Sequence, residues 1–243
     1  MASTRASDCG GEAECQIGHR GYHALPPPEW DGSEPLPVLI HFHGWRRHGT
    51  NVIRNRRIVE PAGRNGLLVL APNGLRGSWD FWGDESQDVA FVDAVLADAA
   101  QRWPIDLDRV FISGFSYGGA MAWRVACLRG SDFAGYLPIA GGLRRQGDIT
   151  CSAGPARLAH VHGLKDTVYG LPIGYGEPVE DGVELWRRTN GTPAEPQRQF
   201  DHASYDCRVW EGQQPVTLCT HEGGHFIPRD WLDWILPQML AGS

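Results

Sequence analysis

Five short apolar runs, each followed by a stretch of helical periodicity or a glycine-rich connection, constrain this chain more than any other feature. They are Pro37 to Phe42 (PVLIHF), Leu67 to Ala71 (LLVLA), Arg109 to Ser113 (RVFIS), Gly135 to Ala140 (GYLPIA) and Arg157 to His162 (RLAHVH). Runs of this length and apolarity suit strands buried on both faces, as in a parallel sheet. Between them, Val89, Phe91, Val92, Val95, Leu96, Ala99 and Trp103 recur at helical spacing and predict a helix over Asp88 to Trp103. Tyr117 to Leu128 and Trp231 to Leu240 predict two more. The expected fold class is therefore α/β, a central and mostly parallel sheet flanked by helices on both faces. Ligands on such a sheet bind beyond the carboxyl ends of its strands, so functional residues are expected just after these runs.

A chain of 243 residues accommodates one such domain, and neither a repeat nor a low-complexity tract argues for a second. The expected division is a flexible N-terminal segment, 1–14, and a single domain, 15–243. The net charge is -7 and basic residues are scattered, which gives no footprint for nucleic acid or an anionic membrane. No apolar run approaches the roughly 20 residues that span a bilayer. Met1 to Glu14 are small and polar, so no export signal is expected within these residues.

Six cysteines without a CxxC pair favour disulfides over a zinc knuckle or redox motif. Tyr205 to Trp210 and Val216 to His221 read as a hairpin around Glu211 to Pro215. With Glu211 facing Pro215, Cys207 lies directly across from Cys219. Pro215 has no N–H, which makes its pair, and by the two-residue repeat the cysteine pair, of the closely spaced kind. A cross-strand disulfide is then feasible; a one-residue slip would leave two buried thiols instead.

Directly after RVFIS comes Gly114-Phe115-Ser116-Tyr117-Gly118-Gly119, then a helical run. This is the strand, sharp turn and helix of a nucleophile elbow, in which the flanking glycines make room for the turn and the serine stands at a helix N-terminus that favours negative charge. A serine hydroxyl needs a base, and the base needs a residue to fix its tautomer. Asp166 follows the run ending at His162, and His225 follows the last strand of the hairpin. The order Ser116, Asp166, His225 is the one this elbow requires, which makes Ser116 the expected nucleophile, His225 the base and Asp166 the orienting acid. Asp181 and Asp206 are weaker candidates because neither follows a strand end cleanly.

His43-Gly44-Trp45 ends the first long run, where such a turn offers a backbone N–H to a substrate carbonyl. Trp45 and Tyr117 N–H are the expected oxyanion donors. His43 is expected to bond loop backbone; His41 and His43 alternate across a strand and do not make a metal pair. Trp45, Trp79, Trp82 and Phe226 are the expected substrate contacts, with ordinary core filling as the competing role. His221-Glu222-Gly223-Gly224-His225 matches the H-E-x-x-H zinc pattern, but that pattern needs a helix, and paired glycines after an alternating strand argue against one. No metal and no cofactor are expected.

In their order along the chain, these stretches resemble the polyhydroxybutyrate depolymerase-like and feruloyl esterase branch of secreted α/β hydrolases. The resemblance rests on Cys15-Gln16-Ile17-Gly18 through Leu25-Pro26, Leu36 to His43-Gly44, Asp88 to Asp93, Ile105 to Val110, the serine elbow, His162-Gly163 with Asp166, and Gly223-Gly224-His225. It implies the α/β-hydrolase fold for the domain over 15–243, the triad Ser116, Asp166 and His225, no metal, and export to an extracellular or periplasmic compartment. It also implies a disulfide between Cys127 and Cys151. The implied activity is hydrolysis of feruloyl or acetyl esters of polysaccharide, or of hydroxybutyrate-type polyester, through an acyl-enzyme. The alternatives are acyl transfer on the same fold and a catalytically silent polysaccharide-binding protein. Where relatives carry tryptophan and proline after the catalytic histidine, this chain has Phe226-Ile227-Pro228, and Trp45-Arg46-Arg47 follows its His-Gly turn. Both departures touch the expected cleft.

Overall fold

A computed structural model describes residues 9–82, 85–143, 151, 153–168 and 179–242. Its strands are β1 (Cys15–Ile17), β2 (Arg20–Leu25), β3 (Leu36–Phe42), β4 (Leu68–Pro72), β5 (Ile105–Phe115), β6 (Gly135–Ile139), β7 (Leu158–Gly163), β8 (Arg198–His202), β9 (Tyr205–Trp210) and β10 (Val216–His221). Its helices are α1 (Gly49–Ile53), α2 (Arg56–Arg64), α3 (Gln87–Arg102), α4 (Tyr117–Arg129), α5 (Val179–Thr189) and α6 (Trp231–Ala241). The strands form one sheet in the order β1-β2-β4-β3-β5-β6-β7-β10-β9-β8. From β4 to β10 every pairing is parallel, while β1 and β2 at one end and β9 and β8 at the other pair antiparallel.

Because successive side chains on a strand face opposite ways, the sheet separates two apolar cores. Val38, Ile40 and Phe42 of β3 and Val110 and Ile112 of β5 pack with α3, α4 and α5 on one face. Leu39, Phe111 and Val161 pack with α1, α2 and α6 on the other. The five apolar runs are thus strands buried on both sides, and the three expected helices are present within a residue or two of their expected ends. β5 starts earlier than expected, because Ile105 pairs with Leu36 across a register shift. α2 was not expected: of its nine residues RRIVEPAGR only Ile58, Pro61 and Ala62 are buried, a stripe too narrow to stand out.

β9 and β10 pair with Cys207 opposite Cys219, and the two form a disulfide with a Cα separation of 4.1 Å. Cys127 on α4 is joined to Cys151. Cys9 and Cys15 form a third bridge, which ties the residues before β1 into a hook. Gly11 N–H donates to Ala24 O of β2 at 2.7 Å, and Gly10 bridges Ala13. Residues 9–14, placed by sequence in a flexible segment, are therefore pinned to the sheet edge by a bridge that spacing alone did not assign. No helix among the described residues is long and apolar enough to cross a membrane.

Candidate active site

The central turn lies between β5 and α4. Ser116 has φ 58° and ψ -116°, a backbone conformation that costs a non-glycine residue on the order of 1–3 kcal/mol and persists because its surroundings leave no alternative. A Cβ on Gly114 would stand 2.2 Å from Gly118 O, and one on Gly118 would stand 2.0 Å from Phe42 O. Both positions therefore exclude any side chain, and their closeness lets β5 turn into α4 beside the end of β3.

Two further loops arrive over this turn. The connection after β7 carries Asp166 and the one after β10 carries His225. They are zipped together by main-chain bonds: Leu164 N–H donates to His221 O at 2.8 Å and Lys165 N–H to Gly223 O at 2.9 Å. His225 Nε2 is 2.7 Å from Ser116 Oγ, and its Nδ1 is 2.7 Å from Asp166 Oδ2. The tautomer that satisfies both contacts carries its proton on Nδ1, so the hydroxyl donates to Nε2 and Nδ1–H donates to the carboxylate. The Asp166 side chain is buried, and its Oδ1 accepts from Val168 N–H at 2.8 Å. Asp181 and Asp206 stand apart, at the start of α5 and on β9.

Behind Asp166 lies a feature that sequence reading passed over. His160 Nε2 is 3.1 Å from His162 Nδ1, and His162 Nε2 is 3.4 Å from Asp166 Oδ2. Both imidazoles are fully buried. Burial holds His160 well below the ordinary histidine pKa, so it stays neutral. The signal was two histidines on one face of β7 pointing toward the acid.

The turn after β3 supplies the fourth side. Gly44 lies beside Ser116, where a Cβ would be in ordinary contact with the serine Cβ at 3.8 Å. This brings Trp45 next to the elbow, while Tyr117 opens α4, where helix geometry gives the first N–H groups no acceptor inside the helix. His43 braces the turn: Gly74 N–H donates to its Nε2 at 3.0 Å, and its Nδ1–H donates to Gly44 O at 2.8 Å. Burial lowers its pKa to about 4 and that of His41 to about 3, so both are neutral near pH 7. His41 Nδ1 instead meets Ser113 Oγ at 3.1 Å, and the ring lies at the base of the cavity beside Ser116.

A cavity of about 440 Å³ opens on Ser116 and His225, walled by Trp45, Phe115, Val52, Ile58, Val168 and Ile227, with Arg47, Asn51 and Asn55 adding polar groups. A larger groove of about 690 Å³, between Pro26, Pro28 and α2, holds none of the candidate catalytic residues. Of the four expected aromatic contacts, Trp45 is 56% exposed at the cavity and Phe226 is 39% exposed beside His221. Trp82 is half-buried and stacks on Phe81, which in turn packs on Tyr117. Trp79 is not at the surface: it is 3% exposed, and its indole N–H donates to His43 O at 2.7 Å. The expectation that it contacts substrate is corrected, since it supports the His-Gly turn from behind. The zinc pattern also dissolves. His221 ends a strand and its Nδ1 accepts from Gly223 N–H, while Glu222 is exposed and pairs with Lys165 at 3.3 Å.

No protein-family profile matches the chain. Among curated proteins it is similar to feruloyl esterase D of Neurospora crassa, 30% identical over 228 residues that cover 85% of this chain and 73% of the relative. It is also similar to probable feruloyl esterase C of Aspergillus niger, 26% identical over 223 residues, 86% of this chain and 77% of the relative. Among solved structures, the acetyl xylan esterase from Aspergillus awamori superposes with a TM-score of 0.70 at 14% identity, covering 93% of this chain and 95% of that one. A fluorophosphonate-binding serine hydrolase of Staphylococcus aureus superposes with a TM-score of 0.64 at 16% identity, covering 94% and 96%. The fold is that of the α/β-hydrolase esterases.

Proposed function

From the premise that this chain belongs to the feruloyl esterase family and is a serine carboxylic-ester hydrolase, we propose that it cleaves feruloyl or acetyl esters of polysaccharide through an acyl-enzyme on Ser116. The observation that carries the reading is the pair of 2.7 Å contacts joining Ser116, His225 and Asp166 at the mouth of an apolar-walled cavity. Ser116 Oγ attacks the ester carbonyl carbon while its proton passes to His225 Nε2. The carbonyl oxygen becomes an oxyanion, which accepts from Trp45 and Tyr117 N–H. His225, held as imidazolium by Asp166, then protonates the departing sugar alkoxide and the carbon–oxygen bond breaks. Water enters, gives its proton to His225 and attacks the acyl carbon, and the acid leaves as Ser116 recovers its proton. Each oxyanion donor contributes about 3 to 4 kcal/mol to the barrier lowering.

The cavity accepts the acyl half. Its aliphatic and aromatic wall suits an aryl group, and the Asn51 and Asn55 amides suit ring oxygens. The sugar half faces the exposed Trp45, whose indole offers a flat apolar platform. Three disulfides support folding in an oxidising compartment, and the chain is read as exported. Methyl ferulate, acetylated xylan, p-nitrophenyl acetate and hydroxybutyrate oligomers, assayed with wild type and Ser116→Ala, test this reading. Wild type is expected to turn over methyl ferulate or acetylated xylan in preference to the oligomers, and Ser116→Ala to lose activity on the order of 10⁴-fold or more. A Ser116→Ala protein that keeps wild-type turnover, or a wild type confined to hydroxybutyrate oligomers, overturns it.

A further inference from the structure

Away from the elbow, three side chains from separate stretches converge at the β1–β2 end of the sheet. Glu14 precedes β1, His23 lies on β2, and His48 sits in the turn between β3 and α1. One ligand-type atom from each lies within 4.8 Å of the others, and His48 Nε2 is 3.9 Å from Glu14 Oε1. The two imidazoles meet edge to face at 5.2 Å.

The outward partners of these groups have the pattern of metal ligands. A ligating histidine donates its other ring N–H to an oxygen, which fixes the tautomer and aims the second nitrogen at the ion. Here His23 Nδ1 is 3.1 Å from Gly11 O, and His48 Nδ1 is 3.4 Å from Thr50 Oγ1. Because a carbonyl only accepts, His23 carries its proton on Nδ1, and its Nε2 is left as a lone-pair donor. The Glu14 carboxylate is itself held by Asn73 Nδ2 and Gln16 Nε2. His23 is 1% exposed, and its Nε2 has no hydrogen-bond partner among the described residues, a buried polar atom that an occupied site would satisfy.

We propose that Glu14, His23 and His48 bind one Zn²⁺ ion, with water completing a tetrahedral shell. Two imidazoles and a carboxylate favour zinc over magnesium or calcium, which take oxygen ligands. Zinc bonds of about 2.0–2.2 Å set ligands roughly 3.3–3.6 Å apart, so the His48 to Glu14 gap closes by about half an ångström. Ordinary motif reading misses the site because its ligands follow no spacing pattern. Sequence reading expects no metal anywhere in the chain, having weighed only His41 with His43 and the His221 to His225 stretch; the proposal departs from that expectation on residues outside both. The ion joins the Cys9–Cys15 hook, β2 and the turn that carries Trp45, and so stiffens one wall of the candidate cleft without touching the triad.

The test uses the whole protein, stripped with a chelator and titrated with Zn²⁺, Mg²⁺ and Ca²⁺ by calorimetry and thermal unfolding. His48 is exposed, so His48→Ala removes a ligand without opening the core, and Glu14→Gln is a second, conservative variant. Wild type is expected to bind one Zn²⁺ per chain with a rise in Tm, and both variants to bind at least tenfold more weakly while their metal-free Tm and p-nitrophenyl acetate turnover match metal-free wild type. Absence of zinc binding by wild type, equal affinity in both variants, or a response to Mg²⁺ or Ca²⁺ in place of Zn²⁺ overturns the proposal.

Discussion

The loops that bring Ser116, Asp166 and His225 together and the rim that surrounds them are built on different terms. In the first region nearly every position is over-determined. Gly114 and Gly118 admit no side chain, the loops after β7 and β10 share main-chain bonds, and Asp166 is sealed beneath His225 with His162 behind it. At the rim, Trp45 lies 56% exposed at the cavity mouth and Phe226 39% exposed beside His221. The difference teaches that main-chain geometry fixes the positions of Ser116, Asp166 and His225, while the exposed aromatic side chains around them are far less constrained by their surroundings.

The largest way to break this contrast is at the acid. Asp166→Asn should lower kcat by about 10⁴-fold with little change in KM, because the amide favours the wrong His225 tautomer. A loss under tenfold, measured with p-nitrophenyl acetate, would show that Asp166 is not what fixes the imidazole. Next comes covalent support of the loop carrying His225. Replacing both Cys207 and Cys219 with serine should reduce stability by about 2–4 kcal/mol in urea unfolding, since the bridge closes the hairpin that leads into that loop. Retention of full stability would make the main-chain zipper sufficient alone.

A pH experiment sharpens the contrast further. His41, with its folded pKa lowered to about 3, binds its proton more readily in the unfolded chain, where the ordinary value is about 6.5. Its contribution is therefore intact above pH 6.5 and is lost as pH falls from there toward 3. Urea midpoints between pH 7 and 4.5 should fall less steeply for His41→Asn than for wild type; parallel curves would remove His41 as a source of acid sensitivity. The smallest effect is expected at the rim, where Trp45→Ala should raise KM for a feruloylated oligosaccharide by roughly tenfold with Tm nearly unchanged, and Phe226→Ala by less. A fall in Tm of several degrees in either variant would place the rim within the rigid scaffold.

Much of this division is legible in the sequence. Two-face burial produces unbroken apolar runs, so β3, β4, β5, β6 and β7 stand out, and α3 shows its periodicity. The chain order of Ser116, Asp166 and His225 follows from where those strands end. What stays hidden depends on contacts between distant segments. Trp79 is a loop tryptophan like Trp45, and the packing of Phe42 and His43 against it leaves one buried and the other exposed. β2 carries Arg20 and His23, which read as surface residues until Asp88 and Gly11 are seen to meet them. The His160 and His162 chain needed knowledge of which face of β7 turns toward the acid.

The two ends of the sheet carry one last implication. A β-sheet edge displays unpaired peptide groups that can recruit another chain. Here β1 is three residues long and is capped by the Cys9–Cys15 hook, whereas β8 presents the exposed Arg198, Gln199 and Asp201. One border is short and tied back by a disulfide, and the other carries charge. Among the described residues, both borders of the ten-stranded sheet are therefore poor templates for pairing with a further chain.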